Sequence, residues 1–364
     1  MEALDNFLIC SDCFRDEGLK LDAKHIGIEN TEKCVNCNSD KGHKLNFNLI
    51  RELCYRFFTR GTIYKTKYGG CPLIIFNDKF EDTKIDFSPW LEDDIKLLSN
   101  NINVNFFYYS PRLWMLGEIE PLKALQNKKK RANIIENIIE TYPVRYLTTV
   151  ESFYRIRVNP EIPHENAEYD SAPDEFLKRG RFDDIGFPVL YGSQDIEICI
   201  HECRVSAEDD IYMSKLTPIK RLKLLDLTEV LYEPDITEFE SLDVSIHFLF
   251  LAEKHSYEIC RDIAKSANVK GFDGIIYPSY FSHLRTGTVP FETSYGFLLR
   301  KFDNLRPYVK EHIIPNLGLF GRPINENKVR VECINKVILN RVQYDVSFGP
   351  AFHKAIENEE NEND

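Results

Sequence analysis

The chain has 364 residues, 43% of them hydrophobic and 29% charged, the balance of an ordinary globular protein with ample core. Its formal net charge of −12 argues against a chain built as a whole to grip a nucleic-acid backbone, although a local basic cleft would still suit a small anion. No stretch approaches the roughly 18 apolar residues of a membrane span, and the start, MEALDNFLICSDC, lacks the basic and long apolar segments of a secretion signal.

Residues 1–44 are polar and punctuated by cysteines, Cys10-x-x-Cys13 being followed by Cys34-x-x-Cys37. Each CxxC lets two thiolates on one tight turn reach the same ion, and two such turns complete a tetrahedral four-sulfur site. With all four ligands from protein, the expected site is closed, structural and filled by zinc; an iron centre and four unligated thiols are the competing readings. Cys54, Cys71, Cys199, Cys203, Cys260 and Cys333 are expected to pack as small hydrophobes. Ten cysteines without an export signal suit a reducing compartment, the cytoplasm.

Further along, residues 48–58 space Leu49, Leu53 and Phe57 four apart, which predicts an amphipathic helix, and 70–76 reads as a short strand. Residues 120–142 read as one helix, its KKKR run solvated and Ile134, Ile135, Ile138 and Ile139 buried. Pro143 limits it, and the domain boundary is expected near there. From Thr148 the pattern becomes α+β. Residues 150–158 and 188–193 read as strands, 195–206 as a helix with a stripe of Ile196, Cys199, Ile200 and Cys203, and 244–268 as a second helix. Residues 274–279 and 329–347 read as further strands. The expected organisation is a four-cysteine ribbon at 1–44, a mixed helical region at 45–145, a catalytic domain at 146–350 and an acidic disordered tail at 351–364.

Several residues of the second half carry chemistry. On strand 150–158, alternation sends Tyr154, Ile156 and Val158 one way and Phe153, Arg155 and Arg157 the other. Two arginines on one face suit a pyrophosphate, though an exposed strand face bearing arginine is the plainer reading. Arg181 follows Gly180 ahead of a strand that puts Phe187, Val189 and Tyr191 on one face. Glu202 lies at the edge of a helix stripe, as a cleft wall or as a solvated residue. Ser279 ends GIIYPS, just after a proline that stops strand pairing.

In order, R-x-R, GRF…VLYGS, a helix ending in glutamate, DGIIYPS and NLGLF resemble the RES domain, a family named for an arginine, a glutamate and a serine. The resemblance spans about Tyr154 to Phe320. The N-terminal ICSDCF, CVNCNSDKGH and WMLGEIEPL are similar to the zinc-containing region ahead of some RES domains in HEPN/RES chains. The resemblance implies an α/β (α+β) fold related to diphtheria-toxin-class ADP-ribosyltransferases. It also implies cleavage of NAD at the nicotinamide–ribose bond, by glycohydrolase or phosphorylase chemistry. Arg155 and Arg181 match the family's arginines, Tyr191 its strand tyrosine, Glu202 its glutamate, Ser279 its serine and Asn316 the asparagine before its last strand. Arg181, Glu202 and Ser279 are thereby the implied catalytic residues, and Arg155, Arg157, Tyr191 and Asn316 the implied substrate-binding ones. The arginines would hold the pyrophosphate, Glu202 would face an oxocarbenium-like ribose, and Tyr191 would offer its ring to the nicotinamide. Cys199 stands where alanine is usual and Asp183 where asparagine is commoner, and 280–315 forms a longer insertion.

A strand-bound G-x-G-x-x-G is missing, which speaks against a hydride-transferring dinucleotide enzyme. An RNase of the kind the HEPN name suggests needs an arginine and a histidine four to six residues apart, and no histidine occurs between Lys44 and Pro163. Arg306 and His312 have the spacing, but Pro307 is expected to deny them a helix. The alternatives kept are an ADP-ribosyltransferase acting on a macromolecule and a non-enzymatic zinc-ribbon module. As the resemblance implies a toxin or anti-phage effector, the expected partners are NAD, an antitoxin, trigger or regulatory protein, and a second copy of the chain. Neither a membrane nor a nucleic acid is expected.

Overall fold

The alternating segments beyond Val144 form an eight-stranded mixed sheet in the computed structural model of the chain. The structure describes residues 6–66, 69–77, 85–108, 119–252, 254–282, 286, 293–294, 297–341 and 346–351. They fall into two compact units. One comprises Met1–Lys65, Gly70–Trp114 and Gln343–Asp364, the other Thr66–Gly69 and Met115–Val342.

In the second unit the strands are β1 (Val144–Leu147), β2 (Phe153–Val158), β3 (Val189–Ser193), β4 (Ile211–Pro218), β5 (Leu222–Asp226), β6 (Gly274–Pro278), β7 (Pro315–Phe320) and β8 (Val329–Val337). They lie in the order β8-β4-β2-β3-β7-β6-β5-β1, with β5 and β6 parallel and the other neighbours antiparallel. Leu190, Leu216, Leu224, Ile276 and Leu319 are buried together at the sheet's core. The helices are α1 (Glu120–Gln126), α2 (Lys128–Thr141), α3 (Ile196–Cys203), α4 (Leu242–Leu251), α5 (Tyr257–Val269) and α6 (Arg306–Glu311).

Two helices read as continuous are each broken in two. Asn127 ends α1, and its side chain accepts from the Lys129 N–H to cap α2. The basic run is also not wholly solvated. Arg131 is buried, donating to Leu125 O at 2.7 Å, Asp262 at 2.7 Å and Glu258 at 3.0 Å, because α5 turns two carboxylates toward it. These bonds tie α2 to α5 inside the second unit, whereas the sequence boundary near Pro143 leaves 120–142 with the preceding region. The 244–268 segment likewise divides into α4 and α5. The helix predicted over 195–206 stops at Cys203, and in it Ile198 and Cys199 are buried while Ile196 and Ile200 are only partly covered. Pro307 does not deny 306–311 a helix. It sits in the first turn of α6, where a missing N–H would have no helical partner anyway.

The first unit pairs Phe7–Cys10 with Lys44–Asn46 and packs helices Glu17–Ile26, Phe47–Cys54 and Pro89–Ile102 over a core that includes Leu19, Leu45, Phe57, Phe58 and Leu98. The buried residues of 48–58 are Ile50, Leu53, Cys54, Phe57 and Phe58, so Leu49 lies at the margin. The 70–76 segment supplies two strands, Gly69–Pro72 and Ile74–Asn77. Residues 346–351 belong to this unit, and the Phe348 N–H donates to buried Asp22 at 3.1 Å. The acidic tail beyond 351 and most of WMLGEIEPL lie outside the described residues. Among the described residues no helix is long and apolar enough to cross a membrane.

Candidate active site

The sheet parts between β2 and β3, which share a single register pair, Tyr154↔Ser193. Gly192 makes that pair possible, since a Cβ there would stand 2.7 Å from both the Phe153 ring and Tyr154 O. A cavity of about 450 Å³ opens beside the parting. Arg155, Arg157, Arg181, Tyr191, Glu202 and Asn316 all line it. Ser279 is buried behind this wall and reaches it through Glu202.

Glu202 stands in the last turn of α3, a helix started by Asp195, whose carboxylate accepts from Ile198 N–H. One oxygen, Oε1, accepts from Ser279 Oγ at 2.7 Å and from Asn316 Nδ2 at 2.6 Å. No hydrogen bond among the described residues engages Oε2. Ser279 follows β6 directly and is held by its own N–H on Ile314 O at 3.0 Å. Asn316 pairs with Tyr277 in the β6–β7 ladder. Two neighbouring strands therefore fix one carboxylate oxygen and leave the other for whatever enters the cavity.

The arginines differ in what their donors do. Arg155, buried, gives its terminal nitrogens to Tyr191 O and Asp170 O, both at 2.8 Å. Burial, and then the charge of Arg157, lower its pKa to about 10. Arg181 closes the end of α4, donating to Leu249 O, Phe250 O and Ala252 O at 3.2–3.4 Å and to Ser256 Oγ at 3.4 Å. Its guanidinium also lies 5.0 Å from the Tyr257 ring centroid and 5.4 Å from that of Phe250. This cap separates α4 from α5.

Tyr191 locks the loop that carries Arg181. Its hydroxyl accepts from Phe182 N–H at 2.8 Å and Asp183 N–H at 3.1 Å, and donates to Asp183 Oδ1 at 2.7 Å. Burial, and then the Asp183 charge, push its pKa well up. Gly180 is required beside it, because a Cβ would collide with Asp183 and come within 2.6 Å of the tyrosine oxygen. Tyr191→Phe is expected to cost about 1–3 kcal/mol, as buried donors lose their acceptor. An unchanged urea midpoint would show that the loop does not depend on it.

Residues 152–289 match the family model of the RES domain. Over that segment the chain is similar to the RES domain. That match takes in β2, β3, α3 and β6, and with them Arg155, Arg157, Arg181, Tyr191, Glu202 and Ser279; Asn316 lies beyond it on β7. No curated protein matches the chain. Among solved structures, a chain of the M. tuberculosis MbcT–MbcA toxin–antitoxin complex is 13% identical, with a TM-score of 0.33, over 56% of this chain and 91% of that one.

The RES cavity is also lined by Arg179, Arg204, Lys254, Tyr257, Tyr277 and Phe281, none of which the sequence reading singled out. Tyr277 was the most legible, as the alternation of GIIYP runs through it. In the other unit, Cys10, Cys13, Cys34 and Cys37 converge, all four sulfurs lying within 4.8 Å of one another. The closest contacts are 3.5 Å for Cys10–Cys37, 3.6 Å for Cys13–Cys34 and 3.8 Å for Cys10–Cys13. Four thiolates at zinc–sulfur distance on a tetrahedron would stand about 3.8 Å apart, so these residues fit a zinc ion. Burial pushes Cys13 up to about 11 and, with hydrogen bonding to Cys37, raises Cys10 further; a dication would relieve both.

Proposed function

We propose that the RES domain cleaves NAD at its nicotinamide–ribose bond and so depletes the dinucleotide. The observation that carries this reading is the Glu202 carboxylate, oriented through one oxygen by Ser279 and Asn316, in a cavity lined mostly by cationic and aromatic side chains. Loss of nicotinamide takes the bonding electron pair with the neutral ring and leaves an oxocarbenium-like ribose. A fixed anion next to that carbon lowers the barrier, because the charge it meets exists only in the transition state. Water, or inorganic phosphate, then completes the ribose. Aromatic faces at Tyr191 and Tyr277 suit a cationic pyridinium before the bond breaks.

Incubating the full chain with NAD and separating the products tests this. Nicotinamide with ADP-ribose is the hydrolytic result, and ADP-ribose carrying a new phosphate is the phosphorolytic one. Label from NAD fixed on a macromolecule would mark transfer instead, and intact NAD at high enzyme would overturn the reading. In a cell such an enzyme depletes a cytoplasmic pool, which suits a toxin held by an antitoxin or regulatory partner.

We further propose that the four cysteines form a structural zinc ribbon. Elemental analysis is expected to give about one zinc per chain, and Cys13→Ser to unfold the first unit without abolishing NAD cleavage. Metal-free protein that keeps its full unfolding transition in chelator would remove the ribbon.

A further inference from the structure

Among the described residues, six cationic side chains and one carboxylate line the RES cavity, in a chain whose net charge is −12. Two of these arginines give their terminal nitrogens to backbone carbonyls, Arg155 to Tyr191 and Asp170 and Arg181 to the end of α4, while the buried Nε of Arg155 has no partner among the described residues. Most of their terminal donors are thus committed to the fold, and the exposed part of the lining offers freer ones. Arg204 is exposed, lines the cavity, and makes no side-chain hydrogen bond or ion pair among the described residues.

Its backbone explains how it gets there. Two positions apart on a regular helix, side chains point about 200° away from each other, so a helical Arg204 would face away from the wall that holds Glu202. Arg204 instead ends α3 in the left-handed region, φ 50° and ψ 43°, and both side chains border one cavity. Glycine or asparagine is the usual occupant of such a cap, because a Cβ is disfavoured there. An arginine keeps a long cation at a position that backbone preference would give to glycine, a combination that points to use of the side chain. Arg157 lines the same cavity. Cys203 Sγ donates to Ile156 O at 3.9 Å, which seats the end of α3 on β2 beside Arg157, whose ion pair with Glu168 is long at 3.8 Å.

We propose that Arg204, with Arg157, is the pyrophosphate clamp of the dinucleotide site. This rests on the NAD reading and deepens it. Phosphates gripped at the end of α3 are placed relative to Glu202 by the same rigid helix, so binding there sets the distance from clamp to scissile bond. The competing role for Arg204 is a helix cap whose charge merely favours the C-terminal dipole.

Arg204→Gly separates the two, since glycine is the better cap and has no donor. The variant is expected to melt no lower than wild type, while its KM for NAD and its Kd for ADP-ribose rise on the order of tenfold to a hundredfold, as for a lost hydrogen bond to a charged group. Arg204→Gln, which keeps a polar side chain but neither the charge nor the full reach, is expected to lose as much, and Arg204→Lys to recover part. Calorimetry of ADP-ribose binding to the full chain reads the effect without turnover. Wild-type KM and ADP-ribose affinity in folded Arg204→Gly or Arg204→Gln would overturn the clamp alone. A wild type that neither cleaves NAD nor binds ADP-ribose would overturn the NAD reading, and the clamp with it.

Discussion

Glu202→Gln is expected to fold as the wild type, to bind NAD, and to release nicotinamide on the order of a hundredfold or more slowly. Glutamine keeps an acceptor oxygen at Oε1, so the bonds from Ser279 Oγ and Asn316 Nδ2 persist and the side chain stays where it is. What goes is the negative charge facing the cavity. A group that acts only as positive charge develops on the ribose lowers turnover when removed and leaves ground-state binding nearly untouched. The loss should thus fall on kcat. Ser279→Ala and Asn316→Ala are expected to show weaker versions of the same defect, because each frees Oε1 from one of its two anchors. If the protein is toxic on expression, Glu202→Gln should relieve the toxicity. Undiminished nicotinamide release would mean that Glu202 is a solvated helix-edge residue, and the proposed chemistry would lose its centre.

How much of this was legible in the sequence depends on where the information sits. The two CxxC turns encode their geometry locally, so the cluster could be read before any fold was known. Glu202, Ser279 and Asn316 meet across 77 and 114 residues of chain, and no local pattern links them. They were found only because ordered short motifs resemble a known domain. The break at Asn127 is a local cap inside an apolar-periodic run, whereas the other helix break is made by a tertiary partner. Periodicity runs unbroken through 244–268, and the stop after Leu251 is set by Arg181, distant in sequence. Arg131 looked solvated as part of a basic run, yet Glu258 and Asp262 bury it. Arg204 escaped for the opposite reason. Helical periodicity turns it away from Glu202, and only a left-handed residue that sequence pattern does not announce brings it back.

Arg181→Ala is expected to destabilise the second unit by about 3–5 kcal/mol, a large share of the 5–15 kcal/mol that holds a typical domain together. The resemblance makes Arg181 a contact to the substrate, but its surroundings give it a structural duty as well. Both terminal nitrogens donate into the end of α4, and truncation would leave the carbonyls of Leu249, Phe250 and Ala252 without those donors in a buried setting. Two aromatic faces, Phe250 and Tyr257, would lose their cation as well. Arg181→Lys should rescue little, because an ammonium cannot fork across several acceptors at once. Urea denaturation reads the stability, and hydrogen exchange at the end of α4 is expected to quicken before the rest of the unit opens. The kinetic consequence then follows from the structural one. Tyr257 and Lys254 form part of the cavity wall just past the capped helix, so loosening that end should raise KM for NAD even without a direct contact from Arg181 to phosphate. A variant of wild-type stability with weakened NAD binding would instead make Arg181 a substrate ligand before anything else. A variant with both properties unchanged would leave α4 capped by other means and remove Arg181 from the site.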